Sequence, residues 1–504
     1  MKVAGFQLPS FGVMSRDFTA SIVVFLVAMP LCMGIAIASG APPERGLITG
    51  IIGGLVVGAI AGSPLQVSGP AAGLAVIVFE LIRDKGLSAL GPILILAGLI
   101  QVIAGVMRLG GWFRAISPAV VHGMLAGIGV LIVVGQFHVL FDATPLSSGL
   151  ANIAAMPARV LELSFDVSTV ERAFAIGLLT IVTMLGWEKF RPAALKQVPG
   201  ALMGVVAGTL TAFLLGLDVT RVDVPESIGS AIALPGSDLF AKWLDPSVIV
   251  AALAIAFIAS AETLLSAAAV DKMHDGVRTD YNKELRAQGV GNLLCGVAGA
   301  LPMTGVIVRS SANVQAGATT RLSTMLHGAW ILGFVALLPW LLREIPMAAL
   351  GAVLVVTGWR LVSIAHVRHL FGNYGVLPAA IWAITLILVV VEDLLTGVIV
   401  GIALSLIELL PHVRRLRLGV ASHEDDEGQA IRLSGSATFV TLPKLSDTLE
   451  TVSTDEKVRL DVSSLATIDH SCAELLKDWL ARRRAAGQAV TVIGGSPKLA
   501  AIMH

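Results

Sequence analysis

Between residues 18 and 411 the chain is a succession of apolar blocks of helical length, broken by glycine, proline and short charged clusters. This pattern constrains the fold more than any other feature. A block of about 20 apolar residues crosses the hydrocarbon of a bilayer as an α-helix, and only helices and closed barrels satisfy the backbone there. A mean hydropathy of +0.84, with 55% apolar and 14% charged residues, puts the chain outside the range of soluble globular domains. An all-α polytopic membrane domain is therefore expected.

Cutting the apolar region at Gly, Pro and charged clusters predicts about fourteen segments, near 18–39, 46–62, 70–82, 90–107, 116–140, 172–188, 198–217, 247–270, 285–299, 304–316, 322–342, 345–362, 375–391 and 393–411. The first block is long and lacks a small-residue cleavage site, so it reads as a transmembrane helix and not as a signal peptide. The domain organisation expected is an N-terminal cytoplasmic segment (1–17), a transmembrane domain (18–411), a linker (412–428) and a small soluble domain (429–504). Positive charge collects at Arg108 and Arg114, at Lys189, Arg191 and Lys196, at Lys272, Arg278, Lys283 and Arg286, at Arg360 and Arg368, and at Arg414, Arg415 and Arg417. All of these fall on one side if both termini are cytoplasmic.

Two segments are too short to span: "GPAAGLAVIVFEL" and "TGVIVRSSANVQA". Each follows a Pro-containing, non-helical lead-in, "SPLQVSGP" or "GALPMTG", and each occupies a corresponding place in its half of the region. This is the pattern of an inverted repeat whose broken helices meet near the midplane at a binding site. Pro70 is expected to open one half-helix and Thr304 to cap the other. Amides around Ala71, Ala72, Gly305 and Val306 would then face each other across a gap that attracts an anion. Arg309, one turn beyond Gly305, adds a full positive charge; the alternatives are snorkelling or a structural ion pair. Burying an arginine at a helix centre costs about 2.5–3.5 kcal/mol, which argues for a task.

The second intramembrane charge is Glu262, which shares a helix face with Ala259, Ser266 and Ala269. With Thr263 and Ser266 it is the expected site of the coupling ion, H+ or Na+. Cys32, Cys295 and Cys472 are isolated and read as packing residues. His366 and His369 have helical spacing, a weak metal-site pattern, and no cofactor is expected.

With these features in hand, the chain resembles the sulfate permease family, solute carrier family 26 in animals. "SGAPPERGLITGIIGG", "SPLQVSGPAAG", "SAETLLSAAAVDK" and "NLLCGVAGALPMTGVIVRSSANVQAGATTRLS" carry the resemblance. It implies two intertwined seven-helix inverted repeats in core and gate bundles, elevator-type alternating access and a homodimer in the bacterial inner membrane. It also implies an anion site built from Ala71, Ala72, Thr304, Gly305, Val306 and Arg309, faced by Glu262 and by Pro30, Leu31, Cys32 and Met33. Many sulfate-type members carry Pro-Gln-Gly where this chain has Pro30, Leu31 and Cys32, and the missing polar side chain argues against sulfate. The first-helix region resembles a bacterial branch associated with carbonic anhydrases, which makes bicarbonate the leading substrate. Sodium-coupled bicarbonate members have aspartate at the place of Glu262, so the coupling ion stays open, with protons preferred.

The tail alternates strand-like and helix-like stretches and resembles the STAS domain of this family. A full STAS fold would continue beyond where this tail ends. Ser471 matches the place where related anti-sigma-factor antagonists carry a phosphorylated serine, the alternative being a helix N-cap. Readings carried beside an anion carrier are a sulfate or dicarboxylate symporter or exchanger, a nucleobase-type symporter, and a membrane-anchored scaffold acting through a cytoplasmic partner of the tail. No nucleophile–base constellation suggests an enzyme, and no nucleic-acid partner is expected.

Overall fold

A computed structural model describes residues 2–3, 6–7, 11–113, 117–161, 169–225, 228–234, 236, 239–274, 276–362, 368, 376–409, 418–425, 428–438, 441–450, 452, 458–485, 488 and 490–494. It divides into two compact units, residues 1–110, 125–362 and 390–394 in one and 111–124, 363–389 and 395–504 in the other.

Helices occupy the predicted apolar blocks. In chain order they begin with α1 (Phe11–Ala38) and α2 (Pro43–Ile52), the latter prolonged by a π turn and a last helical turn to Ile60. A three-residue strand β1 (Ser68–Pro70), a 3-10 turn (Ala72–Leu74) and the half-helix α3 (Ala75–Lys85) follow. Next come α4 (Leu90–Val106), α5 (Pro118–Leu140), α6 (Gly149–Leu161), α7 (Thr169–Phe190) and α8 (Gly200–Leu214). The second half repeats the opening order with α9 (Pro246–Asp271), α10 (Tyr281–Ala298), strand β2 (Met303–Gly305) and half-helix α11 (Ile307–Gln315). It then continues through α12 (Leu322–Leu337), α13 (Met347–Val362), α14 (Val376–Val391) and α15 (Leu394–Leu409). Six helices among the described residues are long and apolar enough to cross a membrane. The helix α6 was not foreseen; its sequence, "GLANIAAMPARVL", carries Pro157 inside and is only partly apolar.

Without a hydrophobic force between lipid-soluble helices, close packing needs small residues at the contact. Gly91, Gly98 and Gly105 of α4 recur every seven residues against Gly289 and Gly296 of α10. A Cβ on Gly98 would stand 2.5 Å from Leu293 N and 2.6 Å from Gly289 O, and one on Gly289 would stand 2.6 Å from Val102 N. The same device seats α2 between two partners: a Cβ on Gly46 would strike the Cys32 carbonyl of α1, and one on Gly54 would come within 2.6 Å of Gly328 Cα in α12.

The soluble tail in the second unit is a four-stranded sheet of β3 (Leu418–Asp425), β4 (Gly428–Ala437), β5 (Val458–Ile468) and β6 (Val490–Ile493), with α16 (Leu442–Glu450) and α17 (His470–Ala485) between the parallel strands. Ile431, Leu433, Leu460, Leu445, Leu476 and Trp479 join in one core. The stretch read as a charged linker supplies β3, paired antiparallel with β4 from Leu418↔Gly435 to Asp425↔Gly428. Ser471 is not the cap of α17: Asp469 Oδ1 accepts the Cys472 amide at 2.9 Å, which puts Ser471 inside the first turn. Burial pushes the Cys472 thiol far above its ordinary range, as suits a packing residue. His366 and His369, residues 412–417 and the last residues of the tail lie outside the described residues.

The glycine seam generates a prediction. Gly98→Ala is expected to destabilise by about 1–3 kcal/mol through overpacking and to lower the detergent melting temperature. Gly186→Ala, where an added Cβ would meet nothing within 4 Å, is expected to leave melting unchanged or slightly raised.

Candidate anion and coupling-ion site

The two lead-ins form an antiparallel bridge. Ser68 pairs with Gly305, Gly69 with Thr304 and Pro70 with Met303. Flanking bonds extend it: Val306 N donates to Val67 O at 2.9 Å, and Val67 N donates to Ser310 Oγ at 2.9 Å. Around it a stripe of polar side chains on α10, Glu284, Gln288 and Asn292, satisfies what the strands leave over. Asn292 Nδ2 donates to Met303 O at 3.1 Å, its Oδ1 accepts Met303 N at 2.8 Å, and Gln288 Nε2 donates to Ser68 Oγ. Glu284 holds the approach to β1 by accepting Ser63 N at 2.9 Å.

Because the strands are antiparallel, the half-helices that follow them start from opposite ends of one bridge. Two expected roles shift. Pro70 lies in β1 and Ala71, not Pro70, precedes the first turn; α11 starts after Val306, with no side-chain cap, and Thr304 is in β2. The amides of Gly305 and Val306 are taken, by Thr263 Oγ1 at 3.1 Å and by Val67 O. The amides that α11 leaves without intrahelical acceptors are those of its first turn, Ile307, Val308 and Arg309.

Three glycines make room for three polar side chains. A Cβ on Gly73 would collide with Glu262 Oε1, one on Gly69 with Arg309 Nη1, and one on Gly305 with Gln66 Nε2. Glu262 thus lies against the first turn that leads into α3, where the helix dipole favours negative charge. It is 8% exposed, the Thr304 side chain lies beside its carboxylate, and its Oε1 has no partner among the described residues. Gln66 was not foreseen as a site residue. Its Nε2 donates to Thr263 O at 2.9 Å and its Oε1 is buried without a partner among the described residues. Thr263 is engaged on both sides, by Gly305 N and by Gln66, while Ser266 lies half-buried one turn beyond Glu262.

Arg309 is fully buried, and all three of its guanidinium nitrogens lack a hydrogen-bond partner among the described residues. It shares the inner face of α11 with Ser310 and Asn313, beside Gly69, Cys32 and His327. No ion pair joins it to Glu262. The opposite face of α11 lines a cavity of about 990 Å3 through Val308, Ala312, Gln315 and Ala316. Val23, Val27 and Leu31 of α1 line it too, facing Met184 and Glu188 of α7, Ala201 of α8, and Thr357 and Arg360 of α13. Of the first-helix residues expected at the site, Leu31 reaches this cavity; Cys32 turns towards α2 and Arg309, and Pro30 and Met33 are buried. Ala71 is buried and Ala72 half-buried at the tip of α3.

The arrangement offers an anion the open tip of α11, with a buried guanidinium behind it, next to a carboxylate that covers the tip of α3.

Comparison with known proteins agrees with this architecture. The Sulfate permease family matches residues 14–385, and the STAS domain description "Mlab, STAS domain" matches residues 420–504. YvdB of Bacillus subtilis (strain 168), which bears a provisional sulfate-transporter name, is 29% identical over 88% of this chain and 84% of its own. The bicarbonate transporter BicA of Picosynechococcus sp. is 25% identical over 83% of this chain and 74% of its own. The solved transmembrane domain of a cyanobacterium bicarbonate transporter BicA superposes with a TM-score of 0.63 at 23% identity, covering 79% of this chain and 98% of that one.

A buried carboxylate with an unpaired oxygen is expected to be a liability to stability. Glu262→Gln keeps the shape and removes the buried charge, so its melting temperature in detergent is expected to equal or exceed that of the wild type. A drop of several degrees would identify the carboxylate as a structural ion instead.

Proposed function

The chain belongs to the sulfate permease family of anion transporters, and from that premise we propose that it is a secondary active carrier importing bicarbonate, or a similarly small oxyanion, together with H+ or Na+. The observation that carries the reading is the opposition of Glu262 over one half-helix tip and an unpartnered, buried Arg309 behind the other. With Glu262 ionised, the carboxylate repels an anion at the neighbouring tip; a bound proton or Na+ removes that repulsion. Loading of the two is thereby linked, which is what symport requires.

In this reading the amides at the start of α11 hold the anion, Arg309 raises the local potential, and Thr304, Ala71 and Ala72 shape the space between the tips. Glu262 and Ser266, with the free Gln66 oxygen nearby, form the coupling-ion position. The strand bridge carries α3 and α11 as one body with α1 and α9, and α7, α8 and α13 form the facing wall, an arrangement that supports elevator-type alternating access. The cavity lies among Arg191, Lys196 and Arg360, so the positive-inside rule supports an inward-facing state with cytoplasmic termini in a bacterial inner membrane. Homodimeric assembly and a cytoplasmic partner for the STAS domain belong to the same reading, on family resemblance. Bicarbonate is preferred to sulfate because only Leu31, an apolar side chain, reaches the cavity from the first-helix motif, and because a BicA protein is among the relatives.

Uptake of labelled bicarbonate into proteoliposomes under imposed H+ or Na+ gradients tests the reading. Arg309→Ala is expected to slow uptake by at least about tenfold, roughly 1.4 kcal/mol or more of lost stabilisation. Transport at the wild-type rate would remove the site from α11. Glu262→Gln is expected to abolish dependence on the driving gradient while still allowing anion exchange. Uptake that stays coupled would clear Glu262 of its role.

A further inference from the structure

The cavity beside α11 carries charge to which the site between the half-helix tips assigns no role. Among the described residues, four ionisable side chains line it: Glu188, Arg191, Lys196 and Arg360. Glu188 pairs with Arg360 across α7 and α13. Arg191 and Lys196 have no side-chain hydrogen bond or ion pair among the described residues. The lining thus holds an excess of two positive charges. Arg191 follows the end of α7 and Arg360 stands in the last turn of α13, where helix dipoles favour cations. The dipoles favour a cation at each helix end and the positive-inside rule favours this side of the membrane, but neither explains why three cations line one cavity.

That space is large. At about 990 Å3 it sits near the top of the roughly 300–1,000 Å3 range of small-molecule pockets, well beyond the needs of a three-oxygen anion. Two guanidinium groups and an ammonium suit phosphate oxygens in particular, which arginine binds through paired N–H bonds. We propose that Arg191, Lys196 and Arg360 form a second anion site, for a small molecule bearing two or more phosphate groups, and that its occupation holds the cavity open and slows transport. The cations stand on the α7–α8–α13 wall, and the uncharged side chains of α1 and α11 form the wall opposite. An occupant is accommodated while these walls are apart and is excluded when they close. Binding therefore shifts the population towards the open form. The inhibitory half of this inference rests on the carrier reading above; the binding half does not.

The test uses the full-length purified protein and sodium pyrophosphate, with sodium chloride at matched ionic strength as control. Saturable thermal stabilisation is expected for the wild type, with the half-saturating concentration raised at least about tenfold, or 1.4 kcal/mol, in the Arg191→Gln/Lys196→Gln double variant. Arg309→Met is expected to keep the response. Should the double variant fail to give monodisperse protein, Lys196→Gln alone, at an exposed position, is expected to weaken the response severalfold. No stabilisation, or equal stabilisation of the double variant, overturns the site; loss in Arg309→Met moves pyrophosphate to the central site and overturns it too. In proteoliposomes, pyrophosphate trapped on the cavity side is expected to slow wild-type anion flux more than that of the double variant. Binding without slowing overturns the inhibitory role. Normal flux in Arg309→Ala with intact pyrophosphate binding would defeat the central-site reading and leave this one standing.

Discussion

Backbone amides and carbonyls cannot be left unpaired at membrane depth, and that requirement organises the centre of this protein. Two half-helices stop short of crossing, so two stretches of extended chain lie inside the bundle. They solve the problem by pairing with each other, Ser68 to Pro70 against Met303 to Gly305. The residual groups go to Asn292, Gln288 and Ser310, side chains that would otherwise be a burden when buried at membrane depth. Once the pairing is antiparallel, the positions of the half-helix tips follow from it, and with them the site.

The site is less symmetric than the duplicated architecture that produces it. One tip is covered by the Glu262 carboxylate and the other is open to the cavity, while the guanidinium sits behind the bridge and not in the passage. Glycine makes this layering feasible. At Gly69, Gly73 and Gly305 the missing side chain is the space in which Arg309, Glu262 and Gln66 lie. The separation of Arg309 from Glu262 also matters, because a direct ion pair would quench both charges and leave nothing for a ligand to complete.

Much of this was legible in the sequence, for identifiable reasons. Apolar block length reports helices reliably in a membrane chain, and the two truncated blocks betrayed the half-helices. Single charges in apolar runs marked Arg309 and Glu262. What the sequence does not carry is pairing: three-residue strands have no periodicity, so nothing in it marks the bridge or shows that the amides of Gly305 and Val306 are engaged. The facing of Arg309 depends on which side of α11 the cavity lies, a tertiary fact. Gln66 and the Glu284–Gln288–Asn292 stripe did leave a signal. The stripe repeats every four residues along one face of a helix, and the glutamine stands alone in the lead-in "SPLQVSGP". In the tail, β3 was hidden by the charges of "HEDDEG", which suit an edge strand as well as a linker.

The central bridge also bears on how such a chain is made. Val67 and Ser310 are bonded to each other across 243 positions of sequence. At synthesis rates of about 5–20 residues per second, the first strand emerges roughly ten to fifty seconds before its mate exists. Through that interval its polar backbone has no permanent home in lipid, so the nascent chain has to keep residues 68 to 70 hydrated or sheltered by the insertion machinery until the second repeat arrives.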